Sequence, residues 1–126
     1  YEIVSRDWSS DVCSSDLDRE RLLQTRAEWK ARLEKATEVF DAMVMPTVPI
    51  VAPKIDALNA SETNFFEANR LLLRNPSIIN LMDGCAISLP IHRAGELPVG
   101  LMLACSAMSD ARLLSIAELI ERQLSL

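Results

Sequence analysis

Three features of the sequence predict an α/β fold: two short apolar runs, helix-period segments on either side of them, and the Pro and Gly residues between. The runs are Ala86 to Leu89, closed by Pro90, and Val99 to Ala104, opened by Pro98 and interrupted only by Gly100. Neither alternates apolar with polar residues, which predicts strands covered on both faces rather than a surface hairpin. The link IHRAGEL carries the turn signal Ala94-Gly95. The stretch from Asn75 to Cys105 thus reads as helix, strand, turn and strand at the centre of an α/β layer.

The other elements follow in order. Asp18 to about Phe40 predicts a long helix, with Leu22, Trp29, Leu33, Ala36 and Phe40 at helical spacing. Asp18 and Glu20 suit its N-terminal dipole, and the interleaved Arg and Glu residues make i,i+4 pairs on a solvated face. Ala42 to Met45 predicts a short buried strand stopped by Pro46. Pro46, Pro49 and Pro53 hold the next segment extended and non-helical, as a surface connection or a pocket rim. Asn64 to Arg74 predicts a helix with Phe65, Ala68 and Leu72 on its apolar face. A separate short helix follows, with Asn75 as its cap, Pro76 in its first position and Gly84 where a positive φ ends it. Ser109 caps a last helix to about Leu124, with Leu113, Ile116, Ala117, Ile120 and Leu124 as its buried stripe.

Composition narrows the function classes. The chain has 126 residues, 49% of them hydrophobic, enough for a core. A net charge of −5, with acids interleaved among the arginines, argues against a nucleic-acid partner. No run approaches the roughly 18 apolar residues of a membrane helix, and the charged, polar start is unlike a secretory signal. Three cysteines without metal-ligand spacing suit reduced thiols and a cytoplasmic setting. Three glycines exclude a glycine-rich nucleotide or catalytic loop within these residues.

Residues 1–17, YEIVSRDWSSDVCSSDL, differ from all that follows: Ser- and Asp-rich, without capping logic or periodicity. The in-frame back-translation of Asp7 to Leu17 resembles a common short-read sequencing adaptor. The stretch therefore reads as an adaptor-derived, non-native segment, to be set aside in fold reasoning. Glu2, Asp7, Asp11 and Asp16 against Arg6 give it −3, so the remainder carries −2. Residues 18–126 are then the genuine part, with Cys85 and Cys105 as their cysteines.

Within that part, N-L-M-D-G-C-A-I-S-L-P followed by G-E-L-P-V-G-L-M-L resembles the C-terminal region of amidase signature family enzymes. Asn80, Gly84, Ala86, Ser88, Pro90, Leu97, Pro98, Val99, Gly100, Leu101 and Leu103 carry the likeness. Cys85 stands in place of the usual Pro and Met102 in place of the usual Gln. Upstream, F-D-A-M-V-M-P-T-V-P-I-V-A-P is similar to another family segment, and Asp110, Leu113, Leu114, Ala117 and Glu121 match the last helix. The resemblance implies an α/β fold that is the C-terminal portion of a mixed β-sheet layered between helices, incomplete as a domain. It implies a parent enzyme that hydrolyses carboxylic amides to acid and ammonia or amine, with a small-molecule amide substrate and no metal or organic cofactor. The family's catalytic Ser-Ser-Lys lies on a Gly/Ser-rich signature and a Lys upstream of this region. Neither occurs here, so no catalytic residue carries over and the piece is expected to be inactive alone. Two other readings stay open: a fragment of the catalytic subunit of a tRNA-dependent amidotransferase, and a small non-catalytic α/β interaction module.

Improvised sites are weak. A reactive Cys85 would need a base, and the single imidazole, His92, falls in the turn beyond the strand. Cys85 is better read as a buried inert thiol, Cys105 as a strand-end filler and His92 as a surface turn residue. Asp83 reads as a helix-end residue rather than an acid catalyst. Ser88 lacks the sharp turn of a nucleophile and reads as structural. Lys30, Lys35 and Lys54 match no catalytic lysine motif. Phe65 and Phe66 read as core packing before pocket lining.

Overall fold

The computed structural model describes residues 16–124. Residues 1–15, most of the stretch read as adaptor-derived, lie outside the described residues. Seven elements follow one another: α1 (Asp16–Thr37), β1 (Met43–Pro46), α2 (Ile55–Asn59), α3 (Glu62–Met82), β2 (Cys85–Pro90), β3 (Gly100–Cys105) and α4 (Asp110–Leu124). The strands form one sheet in the order β1-β3-β2, and both pairings are antiparallel. Met45 faces Met102 on one side of β3, and Ser88 faces Met102 on the other. Among the described residues no helix is long and apolar enough to cross a membrane.

Alternation along β3 explains the layering. Its odd residues Leu101, Leu103 and Cys105 share one face with Cys85, Ile87 and Leu89, and α4 covers them with Leu113, Ala117, Ile116, Ile120 and Leu124. Its even residues Met102 and Ala104 share the other face with Met43 and Met45, beneath Ile78 and Ile79 of α3. Helices on both faces of a sheet make this an α/β arrangement, as predicted, and the predicted stripe of α4 is the one buried.

Several expectations fail for identifiable reasons. There is no helix break at Asn75. α3 runs unbroken through Pro76, and its N-cap is Ser61, whose hydroxyl accepts the Asn64 N–H at 3.1 Å. Asn75 lies inside the helix, buried, and its Nδ2 donates to the Pro46 carbonyl at 2.7 Å. The Thr47 N–H donates to the Gly100 carbonyl, so alternation in the ladder turns the carbonyl of Pro46 away from β3. Asn75 satisfies that outward carbonyl, a tertiary demand that outweighs the capping preference of its type. The positive φ at the end of α3 belongs to Asp83 (56°), not Gly84. Gly84 is needed for space instead, since a Cβ there would lie 2.7 Å from the Cys105 carbonyl oxygen. Gly95, at φ 87°, does supply the turn the dipeptide signalled.

The strands are less covered than predicted. β1 and β2 are the two edges of the sheet, so Val44, Ala86 and Ser88 are exposed while β3 between them is buried. β2 and β3 are consecutive antiparallel neighbours, a hairpin in connectivity, yet the second strand is the centre of the sheet. The Pro-rich segment is not wholly extended: α2 forms after Pro53, where proline spacing ends. α1 stops at Thr37, and Leu22 and Phe40 of its predicted stripe are exposed at 55% and 63%. Arg26 and Lys30 of α1 meet the end of α3.

Candidate functional site

The extended segment after β1 and the approach to β3 enclose a groove of about 210 Å³. Pro46, Pro49 and Val51 form one side, Pro98 and Val99 the other, and Gly100 the floor. Beside it, on the face of the sheet that α3 leaves open, Thr47 and Ser88 share a hydrogen bond between their hydroxyls. A methyl group at Gly100 would collide with both hydroxyls, so this position must be glycine for them to meet. The groove itself is lined by apolar residues, and the hydroxyl pair lies next to it across Gly100. The prolines read as a connection or a rim thus border a concavity.

Ser88 is placed as the sequence suggested, mid-strand, with Thr47 as its partner. Nucleophilic attack needs a base on the hydroxyl, and the partner here is a second hydroxyl. Thr47 was missed as a site residue. No local signal marks it: the register that pairs Met45 with Met102 carries Thr47 to Gly100, and only the folded sheet supplies that register.

Cys85 and His92 are not brought together. The Cys85 thiol, at the start of β2, faces the carbonyls of Cys105 and Ser106 at 3.9 and 3.5 Å. His92 lies beyond the other end of the strand, about 20 Å away at roughly 3.3 Å per residue. Its Nδ1 accepts the Val99 N–H at 3.4 Å, which makes it a turn residue, as predicted. The turn is closed by Glu96, whose carboxylate accepts the Arg93 N–H at 2.9 Å. Cys105 is buried, donates to the Asp41 carbonyl at 3.5 Å and has its thiol pKa raised, mainly by burial.

Asp83 is the helix-end residue it was read as. Arg26 bonds its carboxylate and also donates to the Leu81 carbonyl at 2.9 Å, while Lys30 reaches the second carboxylate oxygen at 3.1 Å. Hydrogen bonds from Arg26 first and Lys30 second hold the carboxyl below its ordinary range. Lys30 is thereby engaged in an ion pair, and Lys54 precedes α2 on the surface. Phe65 and Phe66 are not core: they are exposed at 51% and 53%, in a T-shaped pair with centroids 5.7 Å apart. They stand in the first turns of α3, and the five-residue α2 packs against that helix.

The likeness to known proteins is specific. The amidase family profile matches residues 8–114. A 2-amino-5-chloromuconic acid deaminase of Comamonas testosteroni is 35% identical over 116 residues, covering 90% of this chain and 24% of that protein. A glutamyl-tRNA(Gln) amidotransferase subunit from Saccharolobus solfataricus is 30% identical over 105 residues, 83% of this chain and 21% of its own length. Its counterpart in Salinispora arenicola is 38% identical over 86 residues, 68% of this chain and 17% of its own. The chain thus spans about a quarter or less of the length of these relatives. No solved structure matches it. A match over most of the chain, resting on the same strands and helices that build the sheet, places it in the amidase family.

Proposed function

We propose that residues 18–126 are the C-terminal part of an enzyme that hydrolyses carboxylic amides to a carboxylic acid and ammonia or an amine. This part forms one wall of the substrate pocket and does not itself carry the reaction. The family match is the observation that carries the reading. Acyl transfer from an amide needs an activated hydroxyl, a base to take its proton and donors for the developing oxyanion. Here Ser88 and Thr47 bond each other, His92 accepts a backbone N–H, and Lys30 is paired with Asp83. The catalytic groups therefore belong to the remaining three-quarters of a full-length protein, whose sheet is larger and mixed and extends beyond these three strands. The substrate is a small-molecule amide, held without metal or organic cofactor, in a cytoplasmic setting without nucleic acid. The relative named as a deaminase covers more of the chain than the amidotransferase proteins do, which favours a small molecule over a tRNA-linked substrate.

Two measurements test this. Sequence upstream of Asp18 in an intact locus should encode a Gly/Ser-rich signature preceded by a lysine; a stop codon and start site just before Asp18 would instead favour a small interaction module. The same locus decides whether residues 1–17 are adaptor-derived, since an intact gene encoding them would overturn that reading. The family match overlaps this stretch from residue 8. Expressed alone, residues 18–126 should show no amide hydrolysis above background, and measurable turnover would refute the assignment of catalysis to the missing part.

A further inference from the structure

One pair of groups plays no role in the amide chemistry. Cys85 and Cys105 are direct cross-strand partners in the β2–β3 ladder. Both are free thiols, and both project onto the α4 face, because Cys85 lies in the same packed cluster as Cys105. The Ile91 N–H donates to the Val99 carbonyl, and alternation from that pair makes Cys85–Cys105 a hydrogen-bonded pair too. Such pairs have Cα atoms about 5.5 Å apart, within the usual span of a disulfide, but Cβ atoms about 1 Å too far apart, so closure must draw the edge strand β2 slightly toward β3. Each thiol is at present turned onto a carbonyl, Cys85 onto Ser106 and Cys105 onto Asp41, each at 3.5 Å. These are weak bonds, so rotating the side chains to face each other gives up little.

We propose that Cys85 and Cys105 are a thiol–disulfide couple, which a low-molecular-weight disulfide oxidises to a bond fastening the edge strand β2 to the central strand β3. The order of events follows from burial. Cys85 is half-buried and meets the oxidant first, whereas Cys105 is buried, which raises its thiol pKa and makes its thiolate the later one to react. The Cys85 thiolate attacks one sulfur of the oxidant, forming a mixed disulfide and releasing one thiolate. The Cys105 thiolate then attacks the Cys85 sulfur and releases the second. Two S–H bonds are lost and one S–S bond forms. The two electrons reduce the oxidant to two thiols, which take up the two protons.

The test uses the full chain carrying Cys13→Ser, so that no third thiol competes. It is incubated with oxidised glutathione, in native buffer and in denaturant, then mapped by mass spectrometry. The expected result is loss of two hydrogens, a cross-link between the peptides bearing Cys85 and Cys105, faster in native buffer than in denaturant, and a higher Tm that dithiothreitol reverses. Adding Cys85→Ala should abolish the cross-link. A glutathione adduct on Cys85 that persists without closing, or a cross-link that forms no faster in native buffer than in denaturant, would overturn the proposal.

Discussion

α4 and α1 are both long helices with apolar residues at helical spacing, and the structure treats them oppositely. α4 lays Leu113 and Ala117 against Leu89, Leu103 and Cys105, with Ile116, Ile120 and Leu124 around them. Among the side chains described from Asp18 on, α1 buries none fully; it leaves Leu22 and Leu23 exposed, and Arg26 and Lys30 tie it to one carboxylate. A periodic stripe states that a helix has something to bury but does not say against what. The partner of α4 is in the chain. Under the proposed truncation, that of α1 belongs to the remainder of the longer protein.

The largest expected effect is Leu113→Ala, which removes a buried side chain and leaves a cavity beneath α4, at a cost of about 2–5 kcal/mol. Leu22→Ala, the same chemistry on α1, should stay within about 0.5 kcal/mol. Urea midpoints of the two variants measure the contrast directly, and equal shifts would mean that α1 packs in solution as α4 does. Next comes Gly84→Ala, whose methyl must displace the backbone at Cys105; about 1–3 kcal/mol is expected from such overpacking. Asn75→Leu keeps the branched heavy-atom skeleton, though not the volume, and leaves the Pro46 carbonyl without its donor, at about 1–3 kcal/mol, with that loss confined to the link between α3 and β1. Hydrogen exchange around Met43 to Thr47 should rise in that variant and not in Leu113→Ala at equal stability.

The smallest effect concerns the ion pair holding α1. The carboxyl of Asp83 titrates below its ordinary value of 3.8, because Arg26 and Lys30 bind the charged form. A depressed folded pKa contributes stability that is fully present above the unfolded value and is lost as pH falls through the folded one. The Tm difference between the native chain and Asp83→Asn should therefore be present at neutral pH, shrink below pH 3.8 and shrink also in added salt, since the site is exposed. A difference independent of pH would mean that Asp83 acts through its left-handed cap conformation instead.

Much of the candidate site was open to reading because its parts are local. Ser88 in a strand, the prolines as a surface connection or rim, the turn at Gly95 and Asp83 at a helix end depend on neighbours within a few residues. The Thr47–Ser88 pair was not, since it joins residues 41 apart through a glycine in a third segment. Phe65 and Phe66 failed in the other direction. Aromatic residues on a helix face normally pack, but among the described residues these two stay half exposed at the start of α3.

Taken alone, the sequence determined the α/β class, the strand positions, the buried stripe of α4 and the family, all of which rest on periodicity and short motifs. Tertiary structure alone decided that α3 continues through Pro76, that Gly84 is a matter of space rather than backbone angle, and that β3 rather than β2 is central. Each of these depends on a group from a distant segment: the Pro46 carbonyl, the Cys105 carbonyl, the β1 ladder. Most local preferences amount to about 1 kcal/mol per position, which a single buried hydrogen bond or steric contact can override; the interior proline of α3 costs about 3 kcal/mol, and packing along the helix must offset it.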